Sequence, residues 1–102
     1  MALVNKESAL QKVVNALKKS PCHQGVEILS YKRNRGISII KESEDLYWVR
    51  ERGYEELESR VTLSDLPRIL KSMMKREFPR SRKLRVYQLS SPEDAGIERK
   101  KL

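Results

Sequence analysis

Apolar side chains at Leu3, Leu10, Val13, Val14 and Leu17 fall on one stripe when the chain is wound at about 100° per residue, with Lys12 and Lys19 opposite. That spacing predicts an amphipathic helix over residues 5–19. Asn5 suits the N-cap, and Val4 and Ala9 occupy the staple positions around it. Glu7 in the first turn and Lys18-Lys19 in the last complement the helix dipole. Ser20-Pro21 ends the run, because proline lacks the N–H and restricts the residue before it.

The pattern then shortens. Residues 26–31, 36–41 and 46–49 read as strands, the first two joined by Lys32-Arg33-Asn34-Arg35-Gly36 as a hairpin connection. Glu42-Ser43-Glu44-Asp45 forms the next polar turn. In Leu46-Tyr47-Trp48-Val49 both parities are apolar, which implies burial on both faces or an apolar exposed face used for binding. Arg50-Glu51-Arg52-Gly53 ends or bulges that strand. Tyr54, Leu57 and Val61 fit a helix and a twisted strand equally, so residues 54–63 receive no assignment.

A second helix is expected from about residue 65 to 78, capped by Ser64, with Asp65 and Pro67 in its first turn. Leu66, Ile69, Leu70 and Met73 form its inward stripe, and Arg68, Lys71 and Lys75 lie opposite. Glu77 falls on the apolar stripe, so the helix frays before it or a base pairs with it. Pro79 closes the element. In the last strand, residues 82–89, Leu84, Val86 and Gln88 share one parity and Lys83, Arg85 and Tyr87 the other. The polar stretch 91–102 reads as a flexible tail beyond a single domain of residues 1–90.

The resulting order is α-β-β-β-α-β. Helices with one apolar stripe each need a common surface, and a small, mainly antiparallel sheet with both helices on one face supplies it. The expected class is a two-layer α+β sandwich. Its first five elements follow the layout of double-stranded-RNA-binding domains and of the small Alu-binding subunits of the signal recognition particle. The lysines that open the second helix of the former are here replaced by Ser64, Asp65 and Pro67.

Composition narrows the function classes. The 102 residues contain 22 Lys plus Arg against 14 Asp plus Glu, a formal charge of +8. The excess is uneven: residues 1–41 carry eight bases and two acids, 42–58 seven acids and two bases, and 67–85 eight bases and one acid. Two basic blocks that converge in space would attract a polyanion. No window approaches the ~18 apolar residues of a membrane span, and the first residues lack the pattern of a secretory signal. A cytoplasmic protein with no membrane partner is therefore expected. With Cys22 as the single cysteine there is neither an internal disulfide nor a thiolate metal cluster.

Catalytic motifs are missing: no Gly-x-Gly-x-x-Gly, no phosphate-binding Gly-x-x-x-x-Gly-Lys-Ser/Thr and no Gly-x-Ser-x-Gly. Cys22-His23 reads as a loop pair without chemistry, and Glu55, Glu56 and Glu58 as a solvated acidic run rather than a cation site. No enzyme activity, cofactor or metal is expected. The functional features are basic. Tyr31, Lys32, Arg33 and Arg35 sit at a hairpin tip, and Arg80, Arg82, Lys83 and Arg85 enter the last strand beside Tyr87. Arginine supplies five of these seven bases, and its planar fork suits phosphate. Charge beside a ring is the combination that holds single-stranded bases. A solvated charged surface, with Tyr87 as ordinary sheet packing, explains the same residues without a ligand. The expectation is a non-catalytic nucleic-acid-binding protein, RNA ahead of DNA, working through phosphate contacts. The alternative is a protein-interaction module or small regulatory subunit, homodimeric or facing an acidic protein, and extending its sheet edge.

Overall fold

The computed structural model describes residues 2–30, 35–53, 56–79 and 82–89. The chain runs β1 (Ala2–Asn5), α1 (Lys6–Lys19), β2 (Gly25–Leu29), β3 (Gly36–Ser43), β4 (Leu46–Arg52), β5 (Leu57–Val61), α2 (Leu66–Glu77) and β6 (Lys83–Leu89). Six strands form one sheet in the order β1-β6-β2-β3-β4-β5, with antiparallel neighbours throughout. Both helices pack on one face of it, giving the expected α+β class.

Two strands go beyond the expected order. β1 takes the chain's first apolar residues into the sheet, where Val4 lies opposite Leu84. Leu3 thus belongs to a strand rather than to the stripe of α1. β5 occupies part of the unassigned stretch 54–63 and forms the far edge. With β5 between β4 and α2, the chain does not follow the order α-β-β-β-α.

The helices follow their stripes. Ala9, Val13, Val14 and Leu17 of α1 and Leu66, Leu70, Met73 and Met74 of α2 are buried against Val26, Ile28, Ile37, Ile39, Tyr47, Val49, Val61 and Leu84 of the sheet. Asn5 stands at the N-cap of α1 but makes no side-chain capping bond. The Asn5 carbonyl instead accepts from Ser8 Oγ at 3.2 Å. The N-cap of α2 is Asp65, one residue later than expected, with Pro67 in the first turn. Lys6 Nζ donates to the Phe78 carbonyl, tying the start of α1 to the end of α2. At the other end of α1, the buried Lys41 donates to the Lys18 carbonyl at 3.4 Å, a cation at the negative end of the helix dipole.

Two glycines are required by geometry. Gly53 has φ 144°, and a Cβ there would meet Arg35 and Glu77 side-chain atoms within 2.7 Å. At Gly25 a Cβ would stand 1.7 Å from the Ile39 carbonyl oxygen, so the β2–β3 backbones approach too closely for any side chain. The Tyr47 hydroxyl is buried and has no hydrogen-bond partner among the described residues. Its phenol is held above the usual range, first by burial and then by Asp45 and Glu44.

Leu70→Ala should lower stability by about 2–5 kcal/mol in denaturant unfolding, since Leu70 is fully buried between the layers. Tyr47→Phe should cost nothing and gain up to about 1 kcal/mol, because it removes a desolvated hydroxyl that no bond repays. A loss of stability in that variant would show that the hydroxyl is satisfied.

Candidate nucleic-acid interface

Pairing of the strands decides what the sheet presents away from the helices. Since Val26, Ile28, Ile37, Ile39, Tyr47, Val49 and Leu84 point to the helix layer, their strand neighbours point the other way. The register arranges those neighbours in three cross-strand rows. The first runs Arg85, Leu29, Gly36, Arg52. The second runs Tyr87, Glu27, Ser38, Arg50, Glu58. The third runs Leu89, Gly25, Ile40, Trp48, Arg60.

This face is open only in that neither helix packs on it, and its middle is shielded from solvent: Glu27, Leu29, Ser38, Ile40 and Leu89 are each at most 5% exposed. Around them Arg85, Tyr87, Arg50, Arg52 and Trp48 are half-buried. Ser38 Oγ donates to Glu27 Oε2 at 3.0 Å, placing a hydrogen-bonded carboxylate at the centre of the face. A buried anion is tolerated where hydrogen bonds and nearby positive charge compensate it. Arg85 of β6 and Arg50 and Arg52 of β4 stand around that carboxylate on the same face. Arg60 Nε donates to Glu42 Oε1 at 2.7 Å, an interaction that pushes the guanidinium further up from its ordinary value. Trp48 Nε1 donates to Glu58 Oε1 at 2.6 Å. Lys83, Arg85, Arg50 and Arg52 stand on this same face, Arg50 directly opposite Glu58.

A cleft of about 220 Å³ opens at the third row, lined by His23, Ile40, Glu42, Trp48 and Arg60. It falls below the ~300–1,000 Å³ of sites that enclose a drug-sized ligand. His23 reaches it from a turn with φ 70°, a left-handed conformation that histidine adopts more readily than most residues. That turn is held by the His23 N–H donating to the Lys41 carbonyl at 2.6 Å. Cys22 beside it is exposed.

The expected site residues separate into four groups. Lys83, Arg85 and Tyr87 stand on the open face, with Leu84 and Val86 directed to the helices. Arg82 precedes β6, where its carbonyl accepts the Lys6 N–H at 2.8 Å, and its side chain is exposed. Arg35 goes elsewhere. It is half-buried on the helix side, with Nη1 3.5 Å from the Glu77 carbonyl, so it does not join the face that carries Tyr87. The end of α2 carries the negative pole of the helix dipole, which gives that placement a physical reason. Tyr31, Lys32, Arg33 and Arg80 lie outside the described residues, as does the stretch 91–102. Trp48, Arg50 and Arg52 share the open face and were not among the expected site residues. The double apolar parity of residues 46–49 was the signal that pointed to Trp48.

A second cluster of charge lies on the helix side. Glu51 and Glu77 are buried at 0% and 2% exposure, and Arg76 donates to Glu51 through both Nε, at 2.8 Å, and Nη2. Glu77 remains helical, so α2 does not fray before it. Burial holds the Glu51 carboxyl above the usual range, opposed by Arg76 and assisted by the hydrogen bond with Glu77. Substrate does not reach carboxylates so enclosed, and the cluster acts as an ionic tie between α2 and β4. Among the described residues no group of three His, Cys, Asp or Glu side chains could hold a metal ion.

A carboxyl whose folded pKa is raised binds its proton more tightly in the native state than in the unfolded chain. Stability then falls as pH rises from the ordinary value, 4.5, through the folded one. Glu51→Gln cannot ionise, so wild type should lose stability relative to this variant across that interval in urea titrations at several pH values. A difference that is flat, or that grows in favour of wild type, would contradict the assignment.

No protein-family model matches this chain, and no curated protein or solved structure shows significant similarity to it.

Proposed function

We propose that the open face of the sheet binds single-stranded nucleic acid, RNA in preference to DNA, without catalysis. One observation carries the reading: the register sets Tyr87 and Trp48 on the same face as Arg85, Arg50 and Arg52. Rings on an open sheet stack bases that are splayed from a strand, and arginine forks between them meet the phosphates. β6 and β4 are three strand spacings apart, about 14 Å at ~4.8 Å per strand, so two rings address separate bases of one extended strand. Because unstacked bases occur chiefly in RNA loops and ends, RNA is the favoured ligand.

Phosphate contacts make such binding steep in salt. Four neutralised phosphates, one each for Lys83, Arg85, Arg50 and Arg52, give a slope of about −3 in log K against log salt for a single strand. Fluorescence anisotropy with labelled RNA and DNA strands at three salt concentrations measures it. Arg85→Ala should weaken binding to single strands and duplexes alike and reduce the slope by roughly 0.7. Tyr87→Ala should cost single-strand affinity about 1–3 kcal/mol with the slope unchanged. Absence of binding at low salt would overturn the proposal. Equal binding to an unrelated acidic protein would favour the protein-interaction alternative.

A further inference from the structure

β5 is one of the two edge strands of the sheet, paired with β4 on its inner side. Its residues 57–60 are exposed, and Leu57, at 43%, is the large apolar side chain most open to solvent among the described residues. An edge strand of this kind is a template for another strand. The sequence of β5, Leu57-Glu58-Ser59-Arg60-Val61, specifies which one. An antiparallel copy centred on Ser59 sets Glu58 opposite Arg60 of the second copy, Arg60 opposite its Glu58, and Leu57 opposite its Val61. Each pair also shares a face, because Glu58 and Arg60 stand in register with Arg50 and Trp48, whereas Leu57 and Val61 stand in register with Glu51 and Tyr47.

The local bonds hold these charges without saturating them. Arg60 commits Nε to Glu42, leaving the terminal nitrogens of a fork that has five N–H donors. Glu58 accepts the Trp48 indole N–H through Oε1, leaving Oε2 to accept another donor. Edges are often guarded by charged side chains, Lys above all, and a charge of one sign repels a copy of itself. Glu58 and Arg60 carry opposite signs at mirror positions about Ser59, which attract one.

We propose that the chain forms a two-fold homodimer through antiparallel pairing of β5 with β5 of a second copy, in the register centred on Ser59. The dimer joins the two sheets edge to edge and aligns their open faces. Its existence does not depend on nucleic acid, and it is tested with none present.

Sedimentation equilibrium of the full chain from micromolar to millimolar concentration should show a monomer–dimer equilibrium that weakens with salt. Glu58→Lys and Arg60→Glu, each placing like charges opposite one another twice, should each weaken it by about tenfold. The exchange Glu58→Lys/Arg60→Glu restores opposite signs and should return the affinity to within about threefold. In a Cys22→Ser background, Ser59→Cys places two thiols on the axis, where opposed Cβ atoms lie about 4.5–5.5 Å apart, and a disulfide-linked dimer should form under mild oxidation. Circular dichroism checks that each variant retains its fold. A wild-type protein that remains monomeric would overturn the dimer. Association indifferent to both single reversals, or not rescued by the exchange, would overturn this register, as would failure of the cysteine variant to cross-link.

Discussion

Alternation along the strands is the constraint from which the rest of this structure follows. Two amphipathic helices need an apolar sheet face, and β2, β3, β4, β5 and β6 supply it with Val26, Ile28, Ile37, Ile39, Tyr47, Val49, Val61 and Leu84. A strand cannot turn two successive residues the same way, so each of these commitments sends its neighbours to the opposite face. Glu27, Ser38, Arg50, Arg85 and Tyr87 are brought together by that geometry although they come from four strands spread over most of the chain. A slip of one residue in any pairing would put arginines under α1 and α2 and valines on the open side.

Charge inside the fold is handled in pairs. Glu27 is buried on the open face with Ser38 donating to it, Glu51 is clasped by Arg76, and Lys41 is turned to the last carbonyls of α1. The last two tie elements that are distant in sequence. The ties are directional, unlike the apolar contacts around them, and they help select one docking of the helices from several that would bury similar area. Burial holds the Glu51 carboxyl above its ordinary range, and Arg76 opposes that shift while Glu77 adds to it.

The open face and the outer edge meet at Arg60 and Glu58. Both residues belong to the third and second rows of the face, and both stand on the edge strand. Their pairing with Glu42 and Trp48 lowers the positive potential on that side. In the proposed dimer Lys83 and Arg85 on β6 would lie far from the seam, and Arg50 and Arg52 one strand in from it, with Glu58 opposite Arg50.

Sequence alone determined the parts whose signal is local. Stripes at helical spacing, Pro21, Pro67 and the parity of residues 82–89 placed both helices and the last strand, because backbone geometry and nearest neighbours decide those. Parity also put Tyr87 with Lys83 and Arg85 before any pairing was known. β1 and β5 were not legible: four and five residues are too short for a period, and each is a strand only because β6 or β4 offers it a ladder. The union of Tyr87 with Trp48, Arg50 and Arg52 was decided by the tertiary structure, since register across four strands is a non-local property. Arg35 shows the same limit from the other side. Its sequence neighbours describe a basic hairpin tip, but the carbonyl that takes its guanidinium belongs to Glu77, on a helix more than forty residues away, and only the packing of that helix on the sheet brings the two together.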